Sequence, residues 1–524
     1  MTQETSFWRL VSAAADAAPD RVVLADDYGR RLTTAALRDA AERVAAGLPV
    51  RPGMVVSWQL PSTLEACVLM AALARAGAVQ NPVIPVLRER EVAHIAKTVG
   101  TELFITASTW RGFPHAEMAR GLGLDVIEVE QEKAGSGPLR LPAGDPASLT
   151  APAKQAPAKQ APAKQAPVKQ APVKQAPAKQ APANDSECRW LYFSSGTTAA
   201  PKGVRHSDAT AMGAANGVVD LQGMHDGDVY PIVFPVTHIG GIAMITAVLR
   251  AGGRLVMFDK WDPATSPVLA AAHRPTILGS AQPFFQAYLD AQRGRREPLY
   301  PDLRCFVAGG APTPPAMLEE LTSEFGIRGV INSWGLTEFP VATSAAHDDP
   351  AAVLAKTAGR PAPGVEVRVT DGELRLKGPQ CFLGYADANQ DASAFDAGGW
   401  FRTGDLGEVG ADGNVTITGR LKDVIIRNAE NISAAEVEDV LRRHPAVADV
   451  AVIGLPDPRT GERVCAVVVP EAGREVTLAA LAAHCAEQAL APYKRPVQLE
   501  VSAALPRNSM GKILRQQLKQ QFAR

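Results

Sequence analysis

The densest chemistry in this 524-residue chain lies between Tyr192 and Ser207, which read Tyr-Phe-Ser-Ser-Gly-Thr-Thr-Ala-Ala-Pro-Lys-Gly-Val-Arg-His-Ser. An apolar run, Trp190 to Phe193, stops at a stretch of hydroxyls and small residues. Ser194, Ser195, Thr197 and Thr198 bring hydroxyls, Gly196 leaves the backbone open, and Lys202 adds an ammonium. Backbone N–H groups, hydroxyls and one cation on a small-residue loop suit a polyphosphate. The spacing is not the common nucleotide loop, which needs Gly-x4-Gly-Lys-Ser/Thr. Loops of Ser, Thr and Gly are also ordinary connectors, so other segments must decide. A helix is expected to begin near Ser207.

Five further segments carry residues with chemical use. Pro235-Val-Thr-His-Ile-Gly-Gly241 sets His238 beside two glycines, which allow a ligand close approach. Gly309-Gly310-Ala311-Pro312 follows a strand-like run and has no bulky side chain. Asn332-Ser-Trp-Gly-Leu-Thr-Glu338 ends on a carboxylate, the kind of oxygen ligand Mg²⁺ prefers. Gly399-Trp-Phe-Arg-Thr-Gly-Asp405 offers a carboxylate that can accept from two vicinal hydroxyls. Pro506-Arg-Asn-Ser-Met-Gly-Lys-Ile-Leu-Arg515 contains Lys512, which by itself is one lysine in a basic tail.

Each segment alone has a bland reading: a structural histidine, a strand-to-helix turn, a surface Thr-Glu pair. Together, in this order and at these separations from 192 to 512, they resemble the adenylate-forming superfamily. That superfamily holds acyl-CoA synthetases, firefly luciferase and the adenylation domains of peptide synthetases, and the chain is most similar to an acyl-CoA synthetase. The resemblance implies ATP, Mg²⁺ and coenzyme A as partners of a small carboxylic acid. It implies that Ser194, Ser195, Gly196, Thr197, Thr198 and Lys202 hold phosphates, and that Gly310, Ala311 and Pro312 wall the adenine. Trp334 would stack on adenine, Thr337 would bond the α-phosphate and Glu338 would hold Mg²⁺. His238 would sit near the substrate carboxylate, Asp405 at the ribose, and Arg420 beside it. Lys512 would reach across from a small domain that turns about Lys422. Arg427, Asn428, Ala429 and Glu430 would lie on the coenzyme A side. Two departures stand out: Ala199 replaces a usual Gly of the phosphate loop, and Asn428-Ala429 replaces Gly-Gly in the loop of the thiol tunnel.

The elements that must position these groups follow from pattern. Short apolar runs such as 254–258, 276–279 and 304–308 alternate with helical stretches, which argues for α/β layers. Thr313 with Pro314 reads as a helix start. After 420 the pattern changes: a strand at Asp423–Ile426, a capping box at Ser433-Ala-Ala-Glu436, then mixed strands and helices to the end. The expected fold class is α/β, with a large multi-layer N-terminal domain (1–420) and a small mobile α+β C-terminal domain (421–524).

Residues 151–183 break the pattern. They repeat Ala-Pro-Ala/Val-Lys-Gln with a proline every fifth position and almost nothing to bury, so a disordered or polyproline-like loop is expected. The repeat has six lysines and no acid, which leaves −7 on the rest of a chain whose net charge is −1. It reads as an expansion in a tolerant loop rather than as a basic tether, since no aromatics are present to stack on bases. The near-zero net charge favours neither nucleic acid nor an anionic membrane. The six scattered cysteines make no metal or disulfide pattern. With no secretory segment and no spanning run in view, a cytoplasmic enzyme is expected.

The sequence reading therefore expects an AMP-forming acyl-CoA ligase acting on an apolar, bulky acid: fatty, alicyclic, aromatic or steroid-derived. The alternatives are a ligase that loads a carrier-protein thiol and a non-catalytic scaffold relative.

Overall fold

The computed structural model describes residues 6–133, 136–149, 187–194, 201–309, 313, 315–427, 430–457, 459–488, 490–508 and 511–523. The repeat at 151–183 lies outside them, as do Ser195–Thr198, Ala199, Gly310–Pro312 and Asn428–Ala429.

Four main sheets build the large N-terminal domain. The widest has seven strands, and its centre is parallel. Val55–Gln59 lies between Val79–Pro82 and Leu103–Ala107, and Val126–Val129 closes one side. Apolar helices such as Leu64–Arg75 make the crossovers, as parallel strands require. Trp190–Ser194 joins this sheet beside Val79–Pro82. The chain then returns antiparallel as Lys202–His206 before the helix Asp208–Asn216, which Ser207 caps by accepting from Thr210 N at 3.2 Å. The expected helix is there, but a strand precedes it, so Lys202 sits on a strand and not on the loop.

A second sheet orders Ile277–Ser280, Cys305–Ala308, Val330–Leu336 and Phe339–Ser344, with the first three parallel. The first two strands match the apolar runs 276–279 and 304–308 seen in sequence. A third sheet pairs Val229–Ile232 with Arg254–Met257, and a fourth, antiparallel, carries Phe401–Val409 and Val415–Arg420. The helix Pro315–Phe325 begins beyond Thr313, whose buried hydroxyl has no partner among the described residues, so no cap from Thr313 is seen there.

The smaller C-terminal domain has its own core of Val437, Leu441, Val450, Val452, Ala466, Val468 and Leu481. Its sheet contains Val424–Arg427, Glu430–Ser433, Val447–Asp457, Gly461–Pro470 and Gln498–Val501. The capping box forms by half. Ser433 Oγ accepts from Glu436 N at 3.3 Å, but the Glu436 carboxylate turns to Lys494 Nζ at 2.7 Å. A charged partner competes successfully for the carboxylate that the box would have used.

Candidate active site

The ends of several strands meet at one cavity of about 640 Å³. Ser194 ends its strand there, Gly309 follows Cys305–Ala308, and Thr337 with Glu338 form the turn between Val330–Leu336 and Phe339–Ser344. Ligand sites in open α/β sheets sit at such carboxyl ends. Lys202, His238, Arg420, Lys422 and Lys512 also line this cavity.

The Thr337-Glu338 turn is held firmly. His206 is fully buried and donates from Nε2 to the Thr337 carbonyl at 2.8 Å, while Nδ1 faces Thr210 Oγ1 at 2.9 Å. Burial pushes this imidazole down to about 4, so it stays neutral and acts as a brace. Glu338 is 8% exposed, and its Oε1 accepts from the Tyr385 hydroxyl at 2.9 Å and from Ser194 Oγ at 3.3 Å. Lys202 Nζ lies over the Tyr385 ring, 4.8 Å from its centre. Among the described residues no Lys or Arg forms an ion pair with Glu338. Sequence reasoning missed His206 and Tyr385. Each was a common residue type with no spacing to mark it.

His238 caps the helix Ile239–Ala251. Its Nδ1 accepts from Gly240 N at 3.2 Å, which leaves the ring proton on Nε2. Burial drives its pKa down to about 4, so it too is neutral. Gly241 is required here, since a Cβ would sit 1.9 Å from the Val236 carbonyl oxygen.

Trp334 and Asp405 are partners of each other and are not among the residues that line the cavity. The indole Nε1 donates to Asp405 Oδ2 at 2.8 Å, and Arg420 pairs with the same carboxylate at 2.5 Å. Asp405 is buried, while Arg420, Thr403 and Gly404 reach the cavity.

Lys512 arrives from the small domain on a tight turn. Asn508 Oδ1 accepts from Lys512 N at 2.9 Å, and Gly511 adopts φ 78°. A Cβ on Gly511 would meet Pro283 at 3.0 Å, so the turn packs directly on the large domain and needs glycine twice over. Arg515 anchors the segment to Glu438 at 2.6 Å and lies 3.5 Å from Asp423 beside Lys422. Burial, then Arg420 and Lys422, hold the half-buried Lys512 ammonium down to about 8, against the pull of Asp405. Lys422 is exposed over much of its length. Desolvation at the cavity and the Arg420 guanidinium still hold it below the ordinary lysine range.

Arg427 and Glu430 do not line this cavity; Arg427 donates to the Tyr493 carbonyl at 2.9 Å. The lining also carries the apolar side chains Val218, Phe234, Ile239, Ala243, Met244, Val307 and Val341.

Comparison with known proteins agrees with this architecture. The AMP-binding enzyme family model matches residues 11–386, and the AMP-binding enzyme C-terminal domain matches 436–512. The chain therefore belongs to the AMP-binding enzyme family, and it is an adenylate-forming ligase. It is 35% identical over 522 residues to the 3-[(3aS,4S,7aS)-7a-methyl-1,5-dioxo-octahydro-1H-inden-4-yl]propanoyl:CoA ligase of Mycobacterium tuberculosis, covering 96% of each chain. It is 31% identical to the salicyl-AMP ligase / salicyl-S-ArCP synthetase of the same organism, covering 96% of this chain and 88% of that one. ATP-bound MatB from Rhodopseudomonas palustris matches with a TM-score of 0.81 at 26% identity, covering 98% and 99% of the two chains. No helix of the described residues is long and apolar enough to cross a membrane.

Proposed function

We propose that this protein is an AMP-forming acyl-CoA ligase for an apolar carboxylic acid. The observation that carries the reading is one continuous cavity. Lys202, Glu338, Arg420 and Lys512 line it together with His238 and the apolar side chains. Polyphosphate binds where the cations gather, and the acid lies with its hydrocarbon against the apolar side chains.

In the first half-reaction a carboxylate oxygen forms a bond to the α-phosphorus of ATP, and the bond to pyrophosphate breaks. Thr337 and the Lys512 ammonium face the phosphate oxygens on which charge builds. Fixed donors of this kind are worth about 3 to 4 kcal/mol each in measured cases. The neutral His238 offers its Nε2–H to an oxygen of the acid. Glu338 fits a divalent cation: it is buried, its Oε1 takes two hydroxyl donors, and among the described residues it has no cationic partner. Held there by Glu338, Mg²⁺ would supply charge neutralisation on the phosphates.

In the second half-reaction the coenzyme A sulfur attacks the acyl carbon, AMP leaves, and the thiol proton is released. Lys512 lines the cavity in this structure, and the thiol enters as the small domain turns away. The hinge is Lys422, at the junction between residues 1–420 and 421–524, and Arg427, Asn428, Ala429 and Glu430 come to the thiol side. Trp334 and Asp405 serve the nucleotide from behind the cavity wall, through Arg420.

The relative named as a salicyl-S-ArCP synthetase keeps a second acceptor in play, a carrier-protein thiol. A panel of carboxylic acids assayed for AMP release, with and without free coenzyme A, tests the reading. Acid-dependent AMP release that requires coenzyme A supports it. Adenylate formation with no thioester to free coenzyme A would favour the carrier-protein acceptor instead.

A further inference from the structure

We infer that the acid bears a neutral oxygen, a ketone or hydroxyl, at its end remote from the carboxylate, and that Gln222, Tyr230 and Ser280 recognise it. The inference rests on the ligase reading above.

All three side chains line the cavity and are more than nine-tenths buried: Gln222 and Tyr230 are 5% exposed and Ser280 is 7%. The Ser280 hydroxyl has no hydrogen-bond partner among the described residues. Among the described residues no side-chain hydrogen bond is made by the Gln222 amide or the Tyr230 hydroxyl. Buried polar groups are nearly always satisfied within a protein, and one left alone is costly. Ser280 is the one of the three whose hydroxyl is enclosed and unpaired; with Gln222 and Tyr230 on the same cavity lining, the three form a neutral polar set suited to a ligand oxygen.

The local structure is built around them. Tyr230 lies on Val229–Ile232, packed beside Ile277–Ser280. A Cβ at Gly279 would stand 2.1 Å from Tyr230 Oη, so the phenol lies against the backbone next to Ser280. Ser280 itself has φ 133°, a region that a residue with a side chain rarely adopts. Such strain persists where surrounding structure imposes it, and it clusters at ligand sites. Gln222 closes the π-helical turn Gly217–Leu221, a feature that recurs at functional sites.

Elements other than those that hold Lys202, Glu338 and Lys512 carry the three: the turn after Gly217–Leu221 and the strands Val229–Ile232 and Ile277–Ser280. None of the cavity-lining residues from those elements is charged, and His238 is neutral. The set therefore suits a carbonyl or hydroxyl oxygen. A second carboxylate or an ammonium would be buried without a counter-charge.

The test is acid-dependent pyrophosphate exchange by the full chain. kcat/KM is compared within pairs: 3-cyclohexylpropanoate against its 4-oxo and 4-hydroxy forms, and decanoate against 9-oxodecanoate. In at least one pair the oxygenated acid is expected to win by roughly 10-fold, the worth of about one neutral hydrogen bond. That ratio should fall toward unity in at least one of Gln222→Leu, Tyr230→Phe and Ser280→Ala. A wild-type preference for the hydrocarbon in every pair overturns the inference without any variant. So does a ratio unchanged in all three variants. Exchange with no acid at all overturns the ligase reading, and this inference with it.

Discussion

Lys512 should give the first half-reaction an alkaline limb near pH 8, well below where a lysine ordinarily titrates. The perturbation is pH itself. The ammonium is held down to about 8 by burial and by the neighbouring Arg420 and Lys422 charges. The sign follows: the charged form is disfavoured, so the proton leaves as pH rises through about 8 and not through about 10.4. At pH 9 about a tenth of the enzyme keeps the ammonium, where an unperturbed lysine would keep about 95% of it. The assay is kcat/KM for ATP in acid-dependent pyrophosphate exchange, from pH 6.5 to 9.5, because that parameter reports the free enzyme. It should drop about tenfold per unit above pH 8. The limb in kcat should lie higher, since bound phosphates favour the ammonium. Thioester formation from supplied acyl-adenylate should rise with pH as the thiol ionises, near pH 8.5 for a free thiol. Lys422→Gln removes a like charge and should move the adenylation limb upward. A flat adenylation profile to pH 9.5, or the same falling limb in both half-reactions, would refute the reasoning.

Three further outcomes are expected. Lys422→Pro fixes φ near −65° and should spare pyrophosphate exchange while slowing thioester formation from acyl-adenylate; the reverse pattern would move the hinge elsewhere. Removing residues 151–183, whose composition offers no core, should leave turnover and melting temperature nearly unchanged, and a large loss in either would show that the repeat contributes to the folded enzyme. Trp334→Phe keeps an aromatic face but loses the 2.8 Å hydrogen bond to Asp405. It should cut kcat/KM for ATP by about tenfold or more, as hydrogen bonds to charged groups do, and a change within about twofold would show that the ring face alone matters.

The layers of the fold were legible because their signals are local. The strands Arg254–Met257, Ile277–Ser280 and Cys305–Ala308 coincide with short apolar runs, and Ser207 caps a helix as its position suggested. The strand Lys202–His206 was not legible. Its residues, Lys-Gly-Val-Arg-His, carry little strand propensity. They are held by pairing with Trp190–Ser194 on one side and Gly384–Tyr385 on the other. The capping box at Ser433 departed in the other direction, with Ser433 capping the helix but the return bond from Glu436 missing. Its sequence pattern was complete, but Lys494, 58 residues further on, took the Glu436 carboxylate. Non-local pairing overrides propensity in the first case and a motif in the second.

The same divide runs through the site. Residues grouped in short ordered segments could be found because those segments resemble the adenylate-forming superfamily, and Lys202, His238, Thr337, Glu338, Arg420 and Lys512 do line one cavity. The groups that tune them could not be found, because each comes from a different part of the chain. His206 braces the carbonyl of Thr337, 131 positions away, and Tyr385 meets Glu338 across 47. The Trp334–Asp405 pair shows why this matters for chemistry. Taken one at a time, the segments gave the indole to adenine and the carboxylate to ribose. Side by side, the indole N–H and the Arg420 guanidinium share one buried carboxylate. This carboxylate is 2% exposed and does not line the cavity. It is well placed to hold Arg420 rigid at the cavity wall, next to Lys422 and Lys512. The charge that depresses Lys512 is thus itself fixed by Asp405, so the nucleotide wall and the reach of the small domain are parts of one electrostatic arrangement.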